Sequence, residues 1–219
     1  MLRCLSLVLL ILSGSASLAQ DLPVLPAEEH AKWQAIGRVN IAGFRKREMC
    51  SGTLIAPDRV LTAAHCLARL DGNSPPADQI TFVAGWLRGE AADSVAGADI
   101  WVHPKAYAEG KLDLRYDIAI LTLERPATVP PLPMVTDPVE PPFAILGYSM
   151  RRPHMLSAGF DCDGTVGATV VLVHCPVIRG HSGGPVLTQT PRGWAVMAVV
   201  SAMGTKGALS IPVSRLEAH

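Results

Sequence analysis

Three residues of this chain have the types and settings that covalent acyl transfer needs. Ser182 lies in Gly180-His181-Ser182-Gly183-Gly184-Pro185, a turn so rich in glycine that its hydroxyl and nearby backbone N–H groups can face a bound molecule. His65 lies in Leu61-Thr62-Ala63-Ala64-His65-Cys66. A serine hydroxyl becomes a nucleophile when a neighbouring base takes its proton, and the base needs a third group to orient it. Asp117 is the candidate for that third group, an acid heading the apolar run Ile118-Ala119-Ile120-Leu121.

Blander readings apply to most other residues of these types. His30, His103, His154, His174 and His219 read as surface or core histidines. Asp161-Cys162-Asp163-Gly164 reads as a turn, because the later ligands of a calcium loop do not follow it. Gly180-His181-Ser182-Gly183-Gly184 also fits the nucleophile elbow of an α/β-hydrolase esterase, which requires its acid and histidine after the serine. Beyond Ser182 the chain offers only Glu217 and His219, both at its end, and helix signals are scarce.

The elements that must position these residues read as short strands. Candidates are 51–55, 79–83, 99–102, 118–121, 144–146, 169–173, 185–187 and 196–200, separated by turn signals such as Pro57-Asp58 and Asp71-Gly72-Asn73-Ser74-Pro75. Residues 62–70 have room for one short helical turn. Many short strands argue for an all-β sandwich or barrel. Residues 126–142 hold seven prolines and therefore read as an extended linker, since proline gives a sheet no ladder donor. His65 and Asp117 then lie in one half and Ser182 in the other, with the site in the cleft between them.

Arg3, the apolar run Leu5 to Leu12 and Ser17-Leu18-Ala19 form a secretory signal pattern with its cut after Ala19, so residues 20–219 are expected as an exported, soluble domain, secreted or periplasmic. The chain carries 19 basic and 19 acidic side chains, and removing Arg3 leaves 18 against 19. That balance gives no case for nucleic acid or for an anionic membrane. Arg45-Lys46-Arg47 reads as a solvated hairpin tip. Export also removes Cys4 and leaves Cys50, Cys66, Cys162 and Cys175. Four cysteines in an oxidising compartment point to two disulfides with three possible connectivities. The most local option joins Cys50 to Cys66 and Cys162 to Cys175, closing loops that an entropy argument credits with roughly 3 kcal/mol each. Cys162, Cys175 and His174 lack zinc-ligand spacing, and no metal or cofactor is expected.

The order histidine, acid, serine is one of three known for this chemistry. Together with Cys50-Ser51-Gly52-Thr53-Leu54-Ile55, Val60 to Cys66, Val102-His103-Pro104 and Val199-Val200-Ser201-Ala202-Met203-Gly204, it resembles the chymotrypsin/trypsin-like serine protease superfamily, in a bacterial form. The likeness runs from about Gln34 to Val213. Cys175, seven residues before the serine, resembles the glutamyl-endopeptidase-like branch.

The resemblance implies two antiparallel six-stranded β-barrels, one over about 34–125 and one over about 143–219. It implies a secreted serine endopeptidase acting on polypeptides, and a monomer. His65 is then the general base, Asp117 its orienting acid and Ser182 the nucleophile, with the amides of Gly180 and Ser182 as oxyanion donors. Ser201 supports the acid, and Pro176, Val177, Ser201, Ala202 and Met203 border the substrate. The superfamily also holds inactive relatives that only bind partners.

The chain departs from the animal digestive enzymes at His181, which replaces an aspartate. It also lacks an Ile-Val-Gly-Gly-like activation peptide: in Gly37-Arg38-Val39-Asn40, Asn40 stands where a glycine is needed. Activity is therefore expected without a newly freed amino terminus.

Overall fold

The computed structural model describes residues 21–41, 48–137 and 139–218. The signal pattern, Arg45-Lys46-Arg47 and His219 lie outside them. The strands are β1 (Ile36–Ile41), β2 (Glu48–Ala56), β3 (Arg59–Thr62), β4 (Ile80–Ala84), β5 (Asp93–Val102), β6 (Tyr107–Ala108), β7 (Lys111–Leu112), β8 (Ala119–Leu123), β9 (Phe143–Ser149), β10 (Arg152–Cys162), β11 (Gly164–Val166), β12 (Val171–Val173), β13 (Pro185–Thr190), β14 (Gly193–Gly204) and β15 (Gly207–Pro212). The helical pieces are short 3₁₀ turns, and none is long and apolar enough to cross a membrane.

Six strands close an antiparallel barrel in the order β1-β2-β3-β8-β5-β4. Alternation builds its core: along β4, Ile80, Phe82 and Ala84 point inward while Thr81 and Val83 are less buried. The second half is an antiparallel sheet in the order β10-β9-β13-β14-β15-β12-β11, which agrees with the six strands expected once β10 and β11 are taken together. β10 and β11 stand at its two edges, run in the same sense and are separated by Asp163 alone, so they are successive parts of one strand that pairs with β9 before Asp163 and with β12 after it.

β9 is buried along its whole length because each of its faces meets a different core. Ala144, Leu146 and Tyr148 join Ile36, Met49, Leu61 and Ile118 of the first barrel. The alternate residues Phe143 and Ile145 join Val173, Val186 and Val200 within the second half. A period of two thus sends one face of a strand to the interface and the other to its own core. The apolar layer between the halves fixes their relative placement.

Two extended segments also span the halves. The Pro-rich stretch leaves the barrel beneath an ion pair of Arg125 with Asp93, whose carboxylate also accepts the Thr128 amide. It then lies along β14 through amide bonds Val196 to Pro133 and Val135 to Val196. At the other end, residues 21–25 pack on β10, with Leu25 N–H donating to Leu156, Ala158 N–H donating to Pro23, and Leu22 fully buried. A 3₁₀ turn (Ala27–Trp33) follows, and Trp33 sits 5.9 Å from Phe160 and 6.0 Å from Trp194 before the chain enters β1.

Candidate active site

Three local devices position the candidate residues. His65 is held by a 3₁₀ turn (Ala64–Cys66) just after β3, and a Cys50–Cys66 disulfide ties that turn to β2. Asp117 ends another 3₁₀ turn (Leu114–Tyr116), which Asp113 caps by accepting the Arg115 amide N–H. Ser182 lies in the loop between β12 and β13. The Cys162–Cys175 disulfide fastens the entry to that loop, so both local pairings expected from the sequence are present.

These elements assemble a continuous polar chain. His65 Nδ1 donates to Asp117 Oδ2 at 2.7 Å, and the His65 amide donates to Oδ1 at 2.9 Å. The Ser201 hydroxyl donates to the same Oδ2 at 2.5 Å. Asp117 is completely buried. Burial works against its charge, but the ring, the hydroxyl and the amide that donate to it hold the carboxyl below the usual carboxylate range. An ionised Asp117 accepting from Nδ1 places the hydrogen there and leaves Nε2 of His65 with the basic lone pair. Ser182 Oγ donates to the Ser201 carbonyl at 3.4 Å.

The serine loop has a shape that only glycine permits at two points. Gly180 has φ +100 and Gly183 φ +80. A Cβ on Gly183 would stand 2.1 Å from Thr62 Oγ1 and 2.2 Å from the Ser51 carbonyl. The loop is pinned from the first barrel: the Ser51 amide donates to the Ser182 carbonyl at 2.8 Å, and the Ser51 hydroxyl donates to the Gly180 carbonyl at 2.8 Å while accepting from the Tyr148 amide. Thr62 Oγ1 donates to the Ser51 carbonyl. Among the described residues the amides of Gly180 and Ser182 donate to no protein acceptor. Two N–H groups beside a serine hydroxyl, left without a protein partner, are what an oxyanion requires.

The residues expected on the substrate side divide. Ser201 is buried and committed to Asp117. Val177 is packed in the second-half core beside Val200. Pro176 and Ala202 are half-buried, and Met203 is exposed. Two concavities of about 320 and 330 Å³ lie elsewhere, beside Val135 and Met197 and beside Phe160 and Trp194. Sulfurs of Cys50 and Cys66 approach His65, but they are bonded to each other and offer no thiolate to a metal.

Sequence reading missed three contributors. Ser51 stands inside a quoted motif, yet the hydrogen bonds of its hydroxyl run to residues more than ninety positions away. Thr62 shares that position in a motif without a legible role. Asp21 has no local signal at all: its carboxylate reaches Ser149 at 3.0 Å and faces His181.

Buried histidines make folding sensitive to acid. Burial is the main cause that sets His30 and His103 below 6.5 and His181 at about 4, with Asp21 opposing the shift at His181. These folded-state values are depressed. Unfolded histidines therefore take up protons below about 6.5 that folded ones refuse, and stability falls as pH drops from there toward 4. His181, the most strongly depressed of the three, contributes the largest share of that loss. Urea unfolding at pH 7 and pH 4.5 checks it. A midpoint unchanged between the two would contradict the neutral, buried state of these rings.

Residues 50–198 match the family described as trypsin-like peptidase domain, a span holding His65, Asp117 and Ser182 and most of both halves. The chain belongs to the trypsin-like peptidase family. Over 88 residues this peptidase-family chain is 35% identical to a protein named trypsin from Saccharopolyspora erythraea, covering 39% of this chain and 35% of that one. The match thus spans about a third of that relative's length. Among solved structures, the family fold recurs in a thermostable serine protease, AL20, from an extremophilic microorganism, with TM-score 0.63, 20% identity, and 85% of this chain and 92% of that one covered. It recurs also in the protease Anisep from Arthrobacter nicotinovorans, with TM-score 0.65, 17% identity, and 82% and 90% covered. The antiparallel barrel excludes the α/β-hydrolase alternative, which needs parallel strands alternating with helices.

Proposed function

We propose that the protein is a serine endopeptidase that cleaves polypeptides through an acyl-enzyme on Ser182. The observation that carries this reading is the unbroken run from Ser201 through Asp117 to His65 Nδ1, facing a serine loop with two unpartnered amides. In the proposed reaction Nε2 of His65 takes the Ser182 proton as Oγ bonds to the scissile carbonyl carbon. The oxyanion that forms is held by the Gly180 and Ser182 amides. The imidazolium, stabilised by Asp117, then gives its proton to the leaving amine, and the C–N bond breaks. Water repeats the sequence in reverse order of roles and frees Ser182. Export across a membrane, as a monomer, is part of this proposal, and the two disulfides support it. Cys175 supports a place near the glutamyl-endopeptidase-like branch.

Labelling by a fluorophosphonate, together with cleavage of an unfolded protein substrate, tests the reading. A protein inert to both would be the binding relative instead.

Pro176, Ala202 and Met203 carry no charge beside the expected substrate path, and burying an unpaired charge against them is costly. The expected cleavage profile on a peptide library therefore favours apolar or small residues before the scissile bond. Strong preference for Arg, Lys or Glu there would show that other residues line this pocket.

A further inference from the structure

His181, next to the nucleophile, is completely buried, and so is most of the Asp21 side chain that faces it across 3.7 Å. The two facing atoms, His181 Nε2 and Asp21 Oδ1, are both buried without another protein partner among the described residues. The tautomer of His181 follows from its other nitrogen. The Ile178 amide donates to Nδ1 at 3.0 Å, so Nδ1 is the lone-pair atom and Nε2 carries the hydrogen. That N–H is aimed at a carboxylate oxygen. Asp21 is itself braced, since its other oxygen accepts from the Ser149 hydroxyl at 3.0 Å.

We infer that Asp21 is a positioning residue for the oxyanion loop: its carboxylate anchors the His181 ring, and the ring holds the backbone from Ile178 to Ser182 in its acceptor-ready shape. The loop closes on itself through this ring, because Ile178 N–H reaches Nδ1 while the His181 amide returns to the Ile178 carbonyl at 3.1 Å. Turning the ring would release both ends of that turn, with the Gly180 and Ser182 amides between and beside them. The anchor comes from a segment almost 160 positions upstream. That segment is docked independently, by buried Leu22, the Val24–Ser157 bridge, the Leu25 and Ala158 amide bonds, and Arg152 donating to the Leu22 carbonyl. The group offered to the loop is a side-chain carboxylate, so loop order does not hinge on a freed ammonium.

The inference rests on the peptidase reading for its catalytic consequence but not for its geometry, and the test separates the two. Asp21→Ala removes the acceptor while Leu22 and the backbone bonds keep the segment docked. Asp21→Asn keeps an acceptor oxygen for His181 and offers its amide to Ser149. With a peptide substrate, Asp21→Ala should lower kcat by about 10- to 100-fold with KM within twofold, part of the ~10²–10³ expected when an oxyanion donor is lost outright. Asp21→Asn should retain most of kcat. Should Asp21→Ala melt early, Asp21→Leu, with the same branched four-atom shape and without an acceptor, replaces it in the comparison.

In parallel, imidazole nitrogen resonances of ¹⁵N-histidine-labelled protein report the ring directly, whether or not the protein turns over. The His181 Nε2–H signal should be lost or shifted in Asp21→Ala and kept in Asp21→Asn. Wild-type kcat in the acceptor-free variant, or an unchanged His181 spectrum, would overturn the inference. An inert wild type with the expected spectral change would overturn only the peptidase reading.

Discussion

Ser182→Ala and His65→Ala are each expected to remove nearly all peptide hydrolysis, on the order of 10⁴–10⁶-fold in kcat, with the double variant little worse than either. The reason is mutual dependence. Without the base the hydroxyl keeps its proton, and without the hydroxyl the base has nothing to activate, so the second substitution has little left to lose. Neither change should disturb the fold. The Ser182 hydroxyl makes a single long contact to the Ser201 carbonyl at 3.4 Å. Loss of the His65 ring leaves Asp117 with the Ser201 hydroxyl and the backbone amide of residue 65. Steady-state kinetics on both single variants and the double variant, with thermal melting as the control for folding, measures this. Additive losses, or turnover near wild type in either variant, would sink the assignment of these two residues.

Gly183→Ala is expected to be among the most damaging small substitutions at the described residues. Residue 183 has φ +80, and its amide is committed to the Val200 carbonyl at 2.7 Å, so it cannot turn away. An added Cβ would meet Thr62 Oγ1 at 2.1 Å and the Ser51 carbonyl at 2.2 Å, and the second contact is rigid backbone of β2. Positive φ and overpacking each cost about 1–3 kcal/mol, so the expected loss is roughly 3–5 kcal/mol, with peptidase activity lost through displacement of the neighbouring Ser182. Gly193→Ala isolates the backbone part, because Gly193 has φ +108 and nothing stands within 4 Å of its added Cβ. Urea midpoints for the two variants decide the matter. Equal losses would mean that the close approach of the halves at Gly183 is softer than the distances say.

The candidate histidine, acid and serine could be picked out because each sits in a local string, and the structure joins His65 and Asp117 directly. Strands with strong apolar content were legible too: β2, β4, β8 and β13 lie where the sequence places them. β5 starts at Asp93, earlier than expected, because its first half is built of Ser94, Ala96 and Gly97, which carry no strand pattern. β10 and β15 went unseen for a like reason. β10 contains Pro153, Ser157 and Gly159 and breaks its register twice, and β15 is bounded by Gly207 and Pro212. In the other direction, 169–173 overreaches, since only Val171–Val173 pairs. Ladder hydrogen bonds hold such segments, and ladders are formed with partners far along the chain. The roles of Ser51 and Asp21 were hidden on the same ground. Spacing within a motif reports which residues share a turn, and not which distant carbonyl or ring that turn will meet.

Ser51 belongs to the first barrel, yet the backbone on either side of the nucleophile hangs from it, through its amide to Ser182 and its hydroxyl to Gly180. Separation of the halves and collapse of the serine loop are therefore one event. Under the proposed function, a copy that springs open on heating, or that has not yet finished folding, disarms itself as it exposes its own chain to attack. A crowd of such molecules, some intact and some failing, would hold cutting power only in the intact ones, so damaged copies are prey and never predators.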